Sequence, residues 1–229
     1  MMVGFIKWFD QYDLFLFDFD GLLVNTEFLH YNAYQKMCCD RGFTLLWDFS
    51  QYCGIAHMGS DFLQKSIYET FPQLYLEEPN WPILYKEKQK AFLDILEKKG
   101  ALLMPGVEKV LHLLHKHQAR CCVVTHSPSS LTDAVRKYNP VLDLIPHWVT
   151  REQYELPKPE PDAYLAALRF YGKPGDKILG FEDTIRGWKA LDAAHLESIV
   201  VSPLLTKEMK RFLRKKKVPQ YQSFEELLS

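Results

Sequence analysis

Two aspartates separated by one residue, Asp18 and Asp20, close the apolar run Leu14-Phe15-Leu16-Phe17 and are followed at once by Gly21. Side chains alternate along an extended strand, so both carboxylates leave on one side at its carboxyl end while Phe19 leaves on the other. Two like charges so placed repel each other, and a cation or a shared proton relieves that repulsion. The pair therefore suits a metal site, an acid/base pair, or both. Gly21 lets the backbone turn sharply away. A strand that merely ends in a polar Asp-Gly turn uses the same residues, so the assignment depends on what lies downstream.

Further chemistry-bearing residues stand where later strands should end. Thr125-His126-Ser127 follows the run Ala119 to Val124, Glu182-Asp183 follows Lys177 to Phe181, and Lys158 sits in the loop Pro157-Lys158-Pro159-Glu160-Pro161-Asp162. Asp18, Asp20, Glu182 and Asp183, one hydroxyl (Thr125) and one lysine (Lys158) then meet at a single edge. Acids suited to Mg²⁺, beside a hydroxyl and an ammonium suited to phosphate oxygens, make a site for phosphoryl transfer, where positioning and charge neutralisation supply most of the catalysis. A carboxylate can also attack phosphorus, which divides one displacement into two.

The elements that position these residues follow from periodicity. Residues from about Glu27 to Leu103 read mainly as helix, with Phe28, Tyr31, Tyr34 and Met37 at helical spacing. From Pro105-Gly106 onward, strand-like runs at Ala119 to Thr125, His147 to Thr150, Lys177 to Phe181 and Ile199 to Val201 alternate with helical stretches near Ser129 to Tyr138, Asp162 to Tyr171 and Ile185 to Ala194. Such alternation requires crossover connections, hence an α/β fold with a Rossmann-like parallel sheet, helices on both faces, and an inserted α-helical domain. We expect residues 1–26 and 104–229 to form the core and 27–103 the insert. Ligands of open parallel sheets sit outside the carboxyl ends of the strands, where strand order reverses.

Composition excludes several classes. A chain of 229 residues, 47% hydrophobic, buries a substantial core, and a formal net charge of −1 gives no global attraction to nucleic acid or to an anionic membrane. Lys7, Asp10, Asp13, Asp18 and Asp20 interrupt the apolar opening segment, which reads as neither a signal peptide nor a membrane span. Five cysteines, in two adjacent pairs plus Cys53 and without C-x-x-C spacing, suggest reduced thiols and a cytoplasmic location.

Four segments in order, Asp18-Phe19-Asp20-Gly21-Leu22-Leu23, Val123-Val124-Thr125-His126-Ser127, Lys158-Pro159-Glu160-Pro161-Asp162-Ala163-Tyr164 and Phe181-Glu182-Asp183-Thr184 continuing to Gly187, resemble the motifs of the haloacid dehalogenase superfamily. The likeness is to its helical-cap phosphatase and β-phosphoglucomutase-like branch. It implies Asp18 as the nucleophile that takes the phosphoryl group, and Asp20 as general acid for the leaving oxygen and then base for water. It further implies Mg²⁺ held by Asp18, the Asp20 backbone carbonyl and Asp183 with Glu182 as an additional or outer ligand. Thr125, His126 and Lys158 would line the phosphate, helped by backbone N–H groups of the turn through Gly21.

The insert corresponds to the cap that selects substrate in that branch. His30 falls where β-phosphoglucomutases also carry a histidine, as do many plain phosphatases of the branch. A helix-start histidine satisfied by nearby backbone fits the position equally well. His57 falls where mutases show an arginine that grips a distal phosphate; a histidine lacks the guanidinium fork. The resemblance thus implies a Mg²⁺-dependent phosphatase of a small phosphorylated metabolite such as a sugar phosphate, acting as a monomer or weak homodimer. A β-phosphoglucomutase-like phosphohexose mutase is the alternative, and a non-catalytic ligand-binding protein the third reading. Asn25, His126 and His195 depart from the branch pattern, and we read His195, where glycine often stands, as a different helix ending.

Other features carry structure only in this reading. His112, His115 and His117 lie on an amphipathic helix without a carboxylate in ligand register, and the basic run Lys207 to Lys217 reads as a surface helix and loop. Phe5, Trp8, Phe9 and Tyr12 read as packing over the core, with dimerisation through them a second use.

Overall fold

The computed structural model describes residues 8–229. The chain divides into two compact units, residues 1–25 with 102–229, and residues 26–101. In chain order, β1 (Leu14–Phe17) is followed by the five helices of the second unit: α1 (Glu27–Asp40), α2 (Phe49–Ala56), α3 (Ser60–Thr70), α4 (Pro72–Glu77) and α5 (Trp81–Lys99). The first unit resumes with α6 (Val107–Lys116), β2 (Arg120–Val124), α7 (Ser129–Tyr138), β3 (His147–Val149), α8 (Asp162–Tyr171), β4 (Ile178–Glu182) and α9 (Ile185–Ala193). It ends with β5 (Glu197–Val201), α10 (Lys207–Lys215), β6 (Gln220–Tyr221) and α11 (Phe224–Leu228).

The six strands form one sheet in the order β3-β2-β1-β4-β5-β6, every pair parallel. Parallel strands are buried on both faces, which is why β1 is apolar at every position rather than alternating. On one face Leu14 and Leu16 pack with Ala163, Ala166 and Ala167 of α8 and with Ala190 and Leu191 of α9. On the other, Phe17 stacks on Phe181 with ring centres 4.8 Å apart, and both meet Phe224 of α11. Trp8, Phe9 and Tyr12 add to that second layer through Phe181 and Phe15. Phe5 lies outside the described residues.

The chain leaves β1 for β2 and β3 on one side, then returns to β4 on the other side of β1. Strand order therefore reverses at β1, and the carboxyl ends of β1, β2 and β4 flank the switch point. Gly21 makes the turn that follows β1 with φ of 80°, and its N–H donates to the Val24 carbonyl at 2.9 Å. That amide is thereby engaged within the turn. The two chain crossings are tied within the first unit, Asn25 N–H to the Leu102 carbonyl at 2.8 Å and Met104 N–H to the Leu23 carbonyl at 2.9 Å.

The helical unit has its own apolar cluster, including Tyr31, Tyr34, Met37, Tyr52, Leu63, Ile67 and Leu84. Phe28 departs from the expected helical stripe: it is 44% exposed and meets Tyr31 and Phe49 at its edge. Asp48 and Gln51 form a capping box at the start of α2. Arg41 grips Glu87 through two hydrogen bonds of 2.5 and 3.0 Å, fastening the end of α1 to α5. No helix among the described residues is long and apolar enough to cross a membrane.

Candidate active site

Phe17 pairs with Val123 on one side and Phe181 on the other. The residues one step further, Asp18, Val124 and Glu182, therefore stand level across three adjacent strand ends. Asp18 N–H continues the ladder to the Phe181 carbonyl at 3.0 Å. The buried ammonium of Lys158 joins all three: Nζ donates to Asp18 Oδ1 at 2.5 Å, Glu182 Oε1 at 2.7 Å and the Val124 carbonyl at 2.9 Å. Three donors meet three acceptors, which exhausts the ammonium's capacity. The Tyr164 ring lies beside the same ammonium, 4.9 Å from its centre, and the Tyr164 hydroxyl donates to Glu182 Oε1.

Asp18, Glu182 and Asp183 bring carboxylate oxygens within 4.8 Å of one another, and all three residues are buried, at 8, 1 and 5% exposure. Burial pushes the Asp18 carboxyl up to about 8; Lys158 opposes that rise, while Glu182 and Asp20 add to it. Burial works against the Lys158 charge as well, yet Asp18 and Glu182 outweigh it and hold the ammonium above its ordinary range. An all-oxygen donor set of three buried carboxylates fits a hard divalent cation such as Mg²⁺.

Gly187 explains how Glu182 fits. A Cβ at this position, on the first turn of α9, would fall 1.9 Å from Glu182 Oε2 and 2.0 Å from its Cδ. Thr184, the residue before the helix, caps it by accepting the Gly187 N–H at 3.1 Å. The glycine of the fourth motif thus makes room for a carboxylate.

Asp20 is oriented by two hydroxyls. Its Oδ2 accepts from Thr125 Oγ1 at 3.1 Å and from Ser127 Oγ at 2.7 Å, while Ser127 N–H donates to Thr125 Oγ1 at 2.9 Å. Thr125 continues the sheet ladder through its N–H to the Val149 carbonyl at 2.9 Å. The Tyr154 hydroxyl donates to the Thr125 carbonyl at 3.0 Å and lies 3.1 Å from His126 Nδ1. Since the phenol proton goes to the carbonyl, His126 Nδ1 carries the proton of that second contact, which fixes the tautomer. Burial, and then the charges of Arg186, Arg151 and Lys158, push His126 down to about 4, so its ring is neutral at ordinary pH.

Asp18, Asp20, Thr125, His126, Lys158, Glu182 and Asp183 all belong to the first unit. His30 and His57 lie in the helical unit, where His30 Nδ1 is 2.6 Å from the buried Lys88 Nζ and His57 Nε2 is 3.7 Å from Glu27 Oε1. The His30 ring also stacks on Phe92 at 4.5 Å. Lys88, Tyr154, Tyr164 and the Ser127 hydroxyl are contributors that the sequence reading gave no role. Tyr164 and Ser127 stood inside recognised motifs, but nothing in their spacing announced which carboxylate each would hold. His112, His115 and His117 are not among the groups of described residues able to share an ion, and His117 instead stacks on Phe9 at 4.4 Å.

A buried acid cluster and its ammonium at the switch point of a parallel sheet suit an α/β enzyme of phosphoryl chemistry. The chain belongs to the haloacid dehalogenase-like hydrolase family, whose pattern it matches over residues 15–201. It is 29% identical over 201 residues to a probable pseudouridine-5'-phosphatase of Drosophila melanogaster, covering 84% of this chain and 83% of that one. It is 24% identical over 195 residues to a phosphorylated carbohydrates phosphatase of Thermotoga maritima, covering 80% and 82%. The fold is similar to that of CbbY from Rhodobacter sphaeroides solved with phosphate, with a TM-score of 0.78, 21% identity and coverage of 94% and 96%. It is also similar to a β-phosphoglucomutase from Clostridium difficile, with a TM-score of 0.73, 19% identity and coverage of 93% and 91%.

Proposed function

We propose that the protein is a Mg²⁺-dependent phosphatase of a small phosphorylated metabolite, a sugar or nucleoside monophosphate in chemical class, working through an aspartyl-phosphate. The observation that carries this reading is the Lys158 ammonium shared by Asp18 and Glu182, with Asp183 near enough to share an ion with both. The names of the relatives, a pseudouridine-5'-phosphatase and a phosphorylated carbohydrates phosphatase, support the substrate class.

In this proposal Asp18 attacks phosphorus and its second neighbour Asp20 gives a proton to the departing alkoxide. Asp20 then takes a proton from the water that cleaves the acyl phosphate, regenerating Asp18 and releasing inorganic phosphate. The Thr125 and Ser127 hydroxyls on one Asp20 oxygen set the direction of that carboxyl, and Thr125 and His126 line the phosphate. Lys158 lowers the repulsion between Asp18 and the incoming dianion. Asp18 and Asp183, with Glu182 and the Asp20 carbonyl, would hold Mg²⁺, which would supply positive charge that favours ionised Asp18 and neutralises phosphoryl oxygens. The helical unit serves as the cap that selects substrate, with His30 and His57 among its determinants, and the enzyme acts in the cytoplasm as a monomer or weak homodimer. A histidine beside Glu27 offers no bidentate grip on a second phosphate, which supports hydrolysis over mutase chemistry.

A panel of sugar and nucleoside monophosphates, assayed with Mg²⁺ and with chelator, tests the proposal. Phosphate release from the outset is expected, abolished by chelator and reduced on the order of 10⁴-fold or more in Asp18→Asn. Isomerised sugar phosphate without phosphate release would establish a mutase instead. Turnover in Asp18→Asn within a few-fold of the parent would remove Asp18 as nucleophile.

A further inference from the structure

The helical unit holds a second group of ligating atoms, distinct from the residues proposed to act on phosphorus. Glu27, Cys53 and His57 each bring one ligand atom to within 4.8 Å of the other two. Cys53 and His57 lie four residues apart, on one face at the end of α2. Glu27 is the first residue of α1. His57 Nε2 stands 3.7 Å from Glu27 Oε1. Bonds of about 2.0–2.2 Å from nitrogen and oxygen to a tetrahedral ion place those two atoms roughly 3.4 Å apart, so the pair needs only a small contraction. His57 Nε2 is moreover buried and has no hydrogen-bond partner among protein atoms, which is a costly state for an imidazole nitrogen unless something else satisfies it. Cys53 is 7% exposed.

We propose that Glu27, Cys53 and His57 form a binding site for a borderline-soft divalent cation of the Zn²⁺ type. This site is separate in composition from the all-oxygen set of Asp18, Glu182 and Asp183. Carboxylate, imidazole and thiolate match zinc, whereas three carboxylates match magnesium. The metal–sulfur bond forms as the Cys53 thiol gives its proton to solvent, while the imidazole and carboxylate donate lone pairs without further proton loss. Thiolate and carboxylate then balance the ion's two positive charges. Three protein ligands leave a fourth position for water. The bound ion would cross-link the start of α1 to the end of α2.

Co²⁺ serves as the spectroscopic probe, titrated into the full chain with excess Mg²⁺ present to fill hard oxygen sites. The expected result is a thiolate-to-cobalt charge-transfer band together with the intense visible bands of tetrahedral coordination, at one equivalent, reversed by Zn²⁺. Cys53→Ser should abolish the charge-transfer band, and His57→Ala should weaken cobalt binding by more than about 100-fold. Cys39→Ser, at the exposed thiol, and Asp183→Asn, in the other acid group, should leave the spectrum unchanged. Absence of the thiolate band in the parent protein would overturn the proposal and leave a simple Glu27–His57 contact. Its loss in Cys39→Ser, or its retention in a folded Cys53→Ser, would overturn it equally. None of these readouts depends on phosphatase activity, so the two proposals stand or fall independently.

Discussion

Gly187 stands so close to Glu182 that a single added methyl would overlap the carboxylate, at 1.9 Å from Oε2. Glu182 cannot retreat without loss, since Lys158 and Tyr164 both bind its other oxygen. Gly187→Ala must therefore displace the carboxylate or the start of α9. Overpacking of this kind costs roughly 1–3 kcal/mol, and here it also disturbs the acids proposed to hold Mg²⁺. We expect a lower melting temperature and a raised Mg²⁺ requirement for phosphate release. Shortening the acid in a Gly187→Ala/Glu182→Asp double variant should recover part of the stability, giving a coupling energy well above zero in a thermal or urea double-mutant cycle.

Lys158 lies between two acids, and its removal is predicted to matter more for folding than its replacement volume suggests. Lys158→Met keeps the stem but leaves Asp18 and Glu182 without their ammonium. Breaking a buried ion pair from one side costs roughly 3–5 kcal/mol. The sign with pH follows from the raised Asp18 carboxyl: a native acid that holds its proton more tightly than the unfolded chain gains stability as pH falls. The deficit of Lys158→Met should thus be largest at alkaline pH, where the acids are charged, and shrink at mildly acidic pH. Denaturation in urea across that range, without divalent metal, measures it. Mg²⁺ should recover part of the deficit by binding only the folded protein.

Ser127 and Thr125 place two hydroxyls on one Asp20 oxygen. If that arrangement aims Asp20 for proton transfer, Ser127→Ala should lower kcat with little change in KM, and by less than Asp20→Asn, which removes general acid-base help worth about 10²–10⁴-fold. Substrates with good leaving groups, such as aryl phosphates, need less proton donation. The Ser127→Ala defect in forming the aspartyl-phosphate should be smaller for them, as single-turnover measurements would show.

The sheet and its candidate site edge were legible because the central strands are apolar runs that stop at polar residues, as Phe17 does before Asp18 and Val124 before Thr125. What escaped the sequence was interaction at a distance. Tyr164 follows Lys158 by six residues, yet only the docking of α8 under β1 and β4 brings its hydroxyl to Glu182. The final strand, Gln220–Tyr221, is two half-buried residues and carries no periodic signal at all. At His195 the reading of a different helix ending was incorrect in its physics. The residue takes φ of 58°, the left-handed conformation for which glycine is favoured, so the ending is of the glycine type with a histidine in place.

His126 gives the most specific pH signature. Its imidazole is pushed down from 6.5 to about 4, first by burial and then by Arg186, Arg151 and Lys158. Between those two values the unfolded chain binds a proton that the native protein refuses, so stability is fully present above pH 6.5 and drains away as pH falls toward 4. The loss attributable to this one ring is on the order of 3 kcal/mol. A neutral amide that keeps the contact to the Tyr154 hydroxyl has no such proton to take up. His126→Gln should therefore be less sensitive to acid than the parent over that interval, although other carboxylates weaken both proteins alike. Parallel urea denaturation curves at successive pH values give the test. Identical acid limbs would show that His126 is charged in the native protein, and its tautomeric contact with Tyr154 would then be wrongly assigned.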